Sequence, residues 1–226
     1  MALPTNVLLY FYFKSTSQVL KMNVTKHHFT LLALGDSYTI GESVPLHESF
    51  PYQTLQLLRQ TGLHFHAPEI IAQTGWTTFE LAEQILHTKL DDHYDFVTLL
   101  IGVNNQYRGL SAEDYKADFE FLVKKAIHLA DEKSDQVIVL SIPDWGVTPF
   151  AKSKNAKKIA EEIDAFNAIN KRISMEHKVR YVEITKSSRE AADDLSLIAS
   201  DGLHYSAKEY SKWAREIAAV IQSIAK

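Results

Sequence analysis

Leu31-Leu32-Ala33-Leu34-Gly35-Asp36-Ser37-Tyr38-Thr39-Ile40-Gly41 is the stretch whose reading decides the fold. It opens inside an apolar run, residues 29–34, with the length and content of a buried strand. The run breaks at Gly35 into Asp36-Ser37. A hydroxyl where a strand ends and a helix begins sits at the carboxyl edge of an α/β sheet, the edge where such folds place their ligand sites. The backbone N–H groups of a starting helix favour negative charge there. Ser37 therefore reads as a nucleophile whose own amide helps to hold an oxyanion. It reads equally as an N-cap serine followed by a tight turn, and the stretch alone does not separate the two.

Outward from this stretch, extended and helical patterns alternate. Further short apolar runs lie at 69–72, 96–101, 136–142 and 179–184. Between them, residues 49–60 carry Tyr52, Leu55, Leu57 and Leu58 and close at Gly62, a helix with a C′ glycine. Residues 78–90 place Leu81, Ala82, Ile85 and Leu86 on one face. Ser111-Ala112-Glu113-Asp114 resembles a capping box with Asp in the acidic slot, opening a helix with Tyr115, Phe119, Leu122, Val123, Ala126 and Ile127 on one side. Ile159, Ile163, Phe166, Ile169 and Ile173 make 155–176 an amphipathic helix. Ser206-Ala207-Lys208-Glu209 reads as a capping box for a last helix faced by Tyr210, Trp213, Ile217, Val220, Ile221 and Ile224. This alternation predicts a parallel sheet with helices on both faces and right-handed crossovers. No repeat, low-complexity segment or linker divides the chain. Residues 29–226 are expected to form one domain and 1–28 an N-terminal extension.

Composition narrows the function classes. The 226 residues are 46% hydrophobic and 23% charged, enough for one well-cored domain. A net charge of -4 with no basic run argues against nucleic acid as a partner. Cysteine is absent, which excludes disulfides, thiolate metal sites and a Cys nucleophile. The apolar run at 7–13 is too short to span a membrane. It lacks the preceding charge and the cleavage pattern of a signal peptide. The expectation is no stable membrane insertion, a cytoplasmic location, and a peripheral segment 1–21 with Met22 as the functional start.

Four polar clusters follow strands or lead into helices: 35–37, 73–76, 102–105 and 200–204. In a parallel sheet, loops after successive strands meet on one edge, so clusters far apart in sequence can converge. Asp201 and His204 lie three apart before the final helix. In a turn, that spacing lets a carboxylate reach the near ring nitrogen and aims the far nitrogen at a third group, the base-plus-orienter geometry a serine nucleophile needs. An Asp–His turn that merely ties down its loop has the same spacing. Asn104 follows a strand and a glycine, where its amide can donate to an oxyanion or form an Asx turn. The Gly75 N–H is a further donor candidate, and Gly75 is also an ordinary turn glycine. Tyr38, Trp76, Tyr107 and Trp145 each follow a sheet-edge break and are expected to wall a substrate cleft. His64 and His66 form a metal-ligand spacing without a carboxylate or third ligand, so no metal is expected. The remaining histidines read as surface or loop residues.

Taken together, these clusters resemble the SGNH (GDSL) hydrolase family, of lipase/esterase type. Gly35-Asp36-Ser37-Tyr38 matches the first block, with Tyr in place of the usual Leu. Gly75 matches the lone glycine of the second, Gly102-Val103-Asn104-Asn105 the third, and Asp201-Gly202-Leu203-His204 the fifth. The resemblance runs from about Phe29 to Lys226. It implies a flavodoxin-like α/β/α sandwich whose five-stranded parallel sheet has the order 2-1-3-4-5. It also implies Ser37 as nucleophile, His204 as base, Asp201 as its orienter, and an oxyanion hole from the Ser37 and Gly75 amides and the Asn104 side chain. Asn105 departs from the family's usual Asp. The expected activity is hydrolysis of small acyl esters with no cofactor. The segments 41–50, 105–110 and 143–154 are too short for a lid over a lipid chain, so the cleft is expected to be open. Two other readings compete. One is a degenerate member of the fold that binds carbohydrate without turnover. The other is a flavodoxin-like flavin or phosphate binder, against which Asp36 counts, because a carboxylate repels a phosphate.

Overall fold

The computed structural model describes residues 28–225. The expectations for the 7–13 run, Met22 and the extension before residue 28 lie outside the described residues. The chain runs β1 (Leu31–Asp36), α1 (Ser37–Ile40), α2 (Phe50–Gln60), β2 (Glu69–Gln73), α3 (Thr78–His87), β3 (Phe96–Leu100), α4 (Val103–Tyr107), α5 (Ala112–Leu129), β4 (Val137–Leu140), α6 (Ala156–Glu176), β5 (Arg180–Val182), α7 (Thr185–Ser188) and α8 (Ala207–Ile224), with short 3₁₀ turns between.

All neighbouring strands pair in parallel, in the order β2-β1-β3-β4-β5. Helix α2 packs along α8, while α3, α5 and α6 pack on one another in turn. The result is the three-layer α/β/α sandwich implied by the sequence. Strands β1, β3 and β4 are buried at every residue. Being covered on both faces, they read as unbroken apolar runs rather than alternating ones. The order reverses beside β1, so the crevice at the carboxyl ends of β1 and β3 is the topological switch point.

Several boundaries differ from the sequence reading. Gly35 does not end β1; it pairs with Ala72 on one side and Leu100 on the other. A Cβ there would stand 2.1 Å from Thr39 Oγ1 and 2.4 Å from the Leu100 carbonyl. The missing side chain therefore lets α1 fold back against the strand that carries it. The helix expected over 78–90 stops at His87. The capping box expected at Ser206 does not form. The Ser206 hydroxyl donates to the Ser196 carbonyl at 2.7 Å, and Glu209 is drawn inside to accept from Trp213 Nε1 at 2.8 Å and Ser187 Oγ at 2.6 Å. A complete box opens α3 instead, between Thr77 and Glu80. The segment after Gly102 is the short helix α4, so Asn104 sits on a helix and not in an Asx turn.

Candidate active site

Ser37 is the first residue of α1 and follows Asp36, the last of β1, without a loop. Asp36 caps the helix, its Oδ1 accepting from the Tyr38 amide at 3.0 Å. Ser37 is thereby held at the strand's carboxyl end, almost wholly buried. His204 comes from a tight turn. An antiparallel bridge pairs Ile198 with Tyr205, the Ala199 amide donates to the His204 carbonyl at 2.8 Å, and Asp201 stands at the tip. His204 Nδ1 meets Asp201 Oδ2 at 2.6 Å, and Asp201 Oδ1 accepts from the Leu203 and His204 amides at 2.9 and 3.0 Å. With Nδ1 engaged, Nε2 is the ring nitrogen left for a proton transfer.

A cavity of about 150 Å³ is lined by Ser37, Tyr38, Val103, Asn104, Tyr107, Trp145, Phe150, Leu203 and His204. It gathers residues that follow β1, β3 and β4 together with the turn before α8. Tyr107 and Trp145 meet edge to face, ring centres 5.2 Å apart, as the expected walls. Tyr38 borders the cavity but is buried, its ring backing the imidazole at 5.2 Å. Trp76 is not among the lining residues. It is half-buried against the core, and its carbonyl accepts from Asn104 Nδ2 at 3.0 Å. One amide hydrogen of Asn104 is thus taken and the other is left. Gly75 lies off the lining too, in the neighbouring loop, at φ +85. Phe150 escaped the sequence reading, and Val103 and Leu203 entered it only as members of the matched blocks, not as cavity walls. Phe150 arrives because its amide donates to the Gly202 carbonyl at 2.9 Å, tying the loop after β4 to the histidine turn; a Phe after a proline carries no signal of that.

Asn105, the departure from the family pattern, is buried and holds the start of α3. Its Oδ1 accepts from the Thr78 amide at 3.0 Å and its Nδ2 donates to Thr78 Oγ1 at 2.8 Å. The Thr78 hydroxyl gives its own proton to Asp118 Oδ2 at 3.1 Å. Its partner at 105 must therefore donate, which an amide does and a carboxylate does not.

The carboxyls of Asp36 and Asp201 are shifted in opposite directions. Burial pushes the Asp36 carboxyl up to about 7, against the pull of the Tyr38 amide. For Asp201 burial acts upward as well, but the His204 ring, the Leu203 and His204 amides and the Ser43 hydroxyl outweigh it and hold the carboxyl at about 2. Asp201 is therefore a fixed negative charge beside the imidazole. His64 and His66 stand beside His28, ring centres 5.8 and 5.1 Å away. Among the described residues, no group of three His, Cys, Asp or Glu is placed to hold a metal ion. No helix of the described residues is long and apolar enough to cross a membrane.

Comparison with known proteins identifies the family and the fold. Residues 33–212 match the profile of the GDSL-like lipase/acylhydrolase family. No curated protein sequence matches significantly. Among solved structures, the chain is similar to Axe2, an acetylxylan esterase from Geobacillus stearothermophilus, at TM-score 0.67 and 18% identity, covering 85% of this chain and 94% of that one. It is also similar to the psychrotrophic esterase EstA from Pseudoalteromonas sp., at TM-score 0.65 and 16% identity over 87% and 98%. A lipase/acylhydrolase from Enterococcus faecalis gives TM-score 0.64 and 20% identity over 86% and 96%.

Proposed function

The chain belongs to the GDSL-like lipase/acylhydrolase family and is a carboxylic ester hydrolase; from that premise we propose that it cleaves small acyl esters through an acyl-enzyme carried by Ser37. The observation that carries the reading is the Asp201–His204 pair at 2.6 Å, with the imidazole and Ser37 lining one cavity. His204 Nε2 takes the Ser37 hydroxyl proton as Oγ bonds to the acyl carbon, and the carbonyl oxygen becomes an oxyanion. The Ser37 and Gly75 amides and the free hydrogen of Asn104 Nδ2 hold that charge. Collapse breaks the ester C–O bond, and the departing alkoxide takes the proton from His204. Water then attacks the acyl-enzyme by the same route, giving the carboxylic acid and restoring Ser37. Asp201, ionised throughout, keeps Nδ1 protonated and Nε2 free to act.

The cavity supports a short acyl group. At about 150 Å³ it compares with an engineered apolar cavity that binds benzene, and its walls are Val103, Tyr107, Trp145, Phe150 and Leu203. A substrate of this size also accords with the acetyl esters in the name of Axe2. Each methylene buried in a tunnel would add up to ~0.8 kcal/mol of binding, which a small open cleft forgoes. kcat/KM across aryl esters is therefore expected to peak between acetyl and butyryl and fall beyond. Ser37→Ala should lose several orders of magnitude in kcat and its labelling by a fluorophosphonate. A steady climb of kcat/KM to decanoyl would point to a lipid chain, and a Ser37→Ala enzyme with more than about a tenth of wild-type activity would remove Ser37 as nucleophile.

A further inference from the structure

Gly75 is read above as an oxyanion donor, yet a glycine at φ +85 has little intrinsic reason to keep one orientation. Its loop is tethered residue by residue from other elements. On one side, the Thr74 hydroxyl donates to the Glu42 carboxylate, from the turn after α1. On the other side stands α4 with its capping residue, Arg108, whose amide donates to the Asn104 carbonyl at 3.0 Å. Asn104 and Arg108 are thus four apart on one helical face. They hold consecutive carbonyls: Asn104 Nδ2 bonds the Trp76 carbonyl and Arg108 Nη2 the Gly75 carbonyl. The guanidinium lies over the glycine, 3.7 Å from where a Cβ would stand. Its other arm, Nη1, reaches Glu80 Oε1 at 3.2 Å, and Glu80 Oε2 accepts from the Thr77 amide at 2.7 Å. One planar fork therefore links the Gly75 carbonyl to the capping box that opens α3.

We propose that Arg108 is a positioning residue for ester hydrolysis: its fork pins the Gly75–Trp76 peptide against Glu80, and with Thr74 tethered to Glu42 on the other side this restricts rotation about the Gly75 Cα and keeps the Gly75 N–H turned toward the developing oxyanion. The proposal rests on the reading of Gly75 as a donor. A purely structural role is the competing account. The Arg108–Glu80 pair is well exposed on both sides, and such pairs contribute little to stability. Its consequence is therefore expected in transition-state geometry and not in the melting temperature. Arginine suits the task because its two arms serve two acceptors at once, which a lysine ammonium on a flexible stem does not do in a fixed geometry.

The test measures kcat and KM on an aryl acetate, the inhibition constant of a trifluoromethyl ketone whose serine adduct carries an oxyanion, and the melting temperature. Arg108→Ala should lower kcat about tenfold to a hundredfold and weaken the ketone by the same factor, with KM within about twofold and the melt unchanged. Arg108→Lys should recover part of both losses. Glycolic acid in place of Gly75, which exchanges its N–H for an ester oxygen and keeps the carbonyl, is run in parallel. If it loses kcat and ketone affinity while Arg108→Ala keeps both within about twofold, Arg108 has no part in positioning and the reading of Gly75 stands. If the glycolate variant, which has no N–H at position 75, keeps wild-type kcat, the oxyanion reading fails and the proposal fails with it. Should Arg108→Ala not fold, Glu80→Gln loosens the other arm, and smaller falls in the same two constants are expected. Unchanged constants in that variant would overturn the proposal.

Discussion

Asp36 and Asp201 are the carboxylates closest in role to the Ser37–His204 cavity, one preceding the serine in the chain and the other bonded to the imidazole. Asp36 lies 1% exposed at the end of β1, with the Tyr38 amide on Oδ1 and no hydrogen-bond partner on Oδ2. Burial pushes the hydroxyls of Tyr38, Tyr115 and Tyr210 up, and the Asp36 carboxylate, when ionised, adds to that shift. The Asp201 side chain is 31% exposed and takes the His204 ring, two amides and the Ser43 hydroxyl, the last at 2.8 Å. Burial raises both groups, and the donors aimed at the carboxylate decide the outcome. Negative charge is secured where it faces an imidazole and discouraged one residue from Ser37, where it would oppose an oxyanion.

The largest effect should come from Asp201→Asn. An amide at that position presents a donor to Nδ1 as readily as an acceptor, and the imidazole loses its preferred tautomer. A fall in kcat of about 10³–10⁴-fold is expected, with little change in melting temperature. A variant that unfolds more readily but keeps its kcat would reduce Asp201 to a loop staple and break the contrast with Asp36.

Asp36→Asn should act on stability and its pH dependence. The folded-state value is raised to about 7 from 3.8, so the folded protein binds the extra proton between those values. The stabilisation is complete below about 4 and is lost as pH rises through about 7, a difference of a few kcal/mol. Urea unfolding at pH 5 and pH 8 should show that loss in the wild type and a flatter profile in Asp36→Asn, which should be the more stable at pH 8. An unchanged slope would mean that Asp36 is charged in the fold. The sign is opposite for Asp201: its contribution is present above 3.8 and is lost as pH falls toward 2.

The smallest effect is expected from Ser43→Ala. It removes one of the donors on Asp201 and leaves the ring and both amides. The Asp201 carboxyl should rise modestly above 2, read by carbon NMR titration, and kcat should fall less than about tenfold. Ser43 adopts φ +65, which a non-glycine residue rarely does, in the turn after α1. A carboxyl that does not move in this variant would assign that conformation to the loop alone and reduce the donor set of Asp201 to its own turn.

The limits of sequence reading follow from these particulars. The unbroken apolar runs of β1, β3 and β4 identified central parallel strands, because both faces of each are covered. The spacing of Asp201 and His204 carried their contact, because three residues of a turn are a local geometry. Ser111 caps α5, its hydroxyl accepting from the Asp114 amide, as its position indicated. Ser206 did not, because a carbonyl ten residues upstream took its hydroxyl. Trp76 has the same sheet-edge position as Tyr107 and Trp145 but packs on the core, and Phe150 has no motif yet lines the cavity. Position after a strand assigns a residue to an edge. The register of the crossovers then decides which residues at that edge face each other.

By itself, then, the sequence determined the layer order, the strand-end serine and the carboxylate–imidazole pair, all of which rest on contacts within a few residues or on burial patterns. Only the tertiary structure decided that Ser43 completes Asp201, that Asn105 must donate to Thr78, and that Arg108 grips the Gly75 carbonyl. Those contacts join residues 27 to 158 positions apart. Hydrogen bonds across such distances depend on how helices seat on the sheet, and no local propensity encodes that.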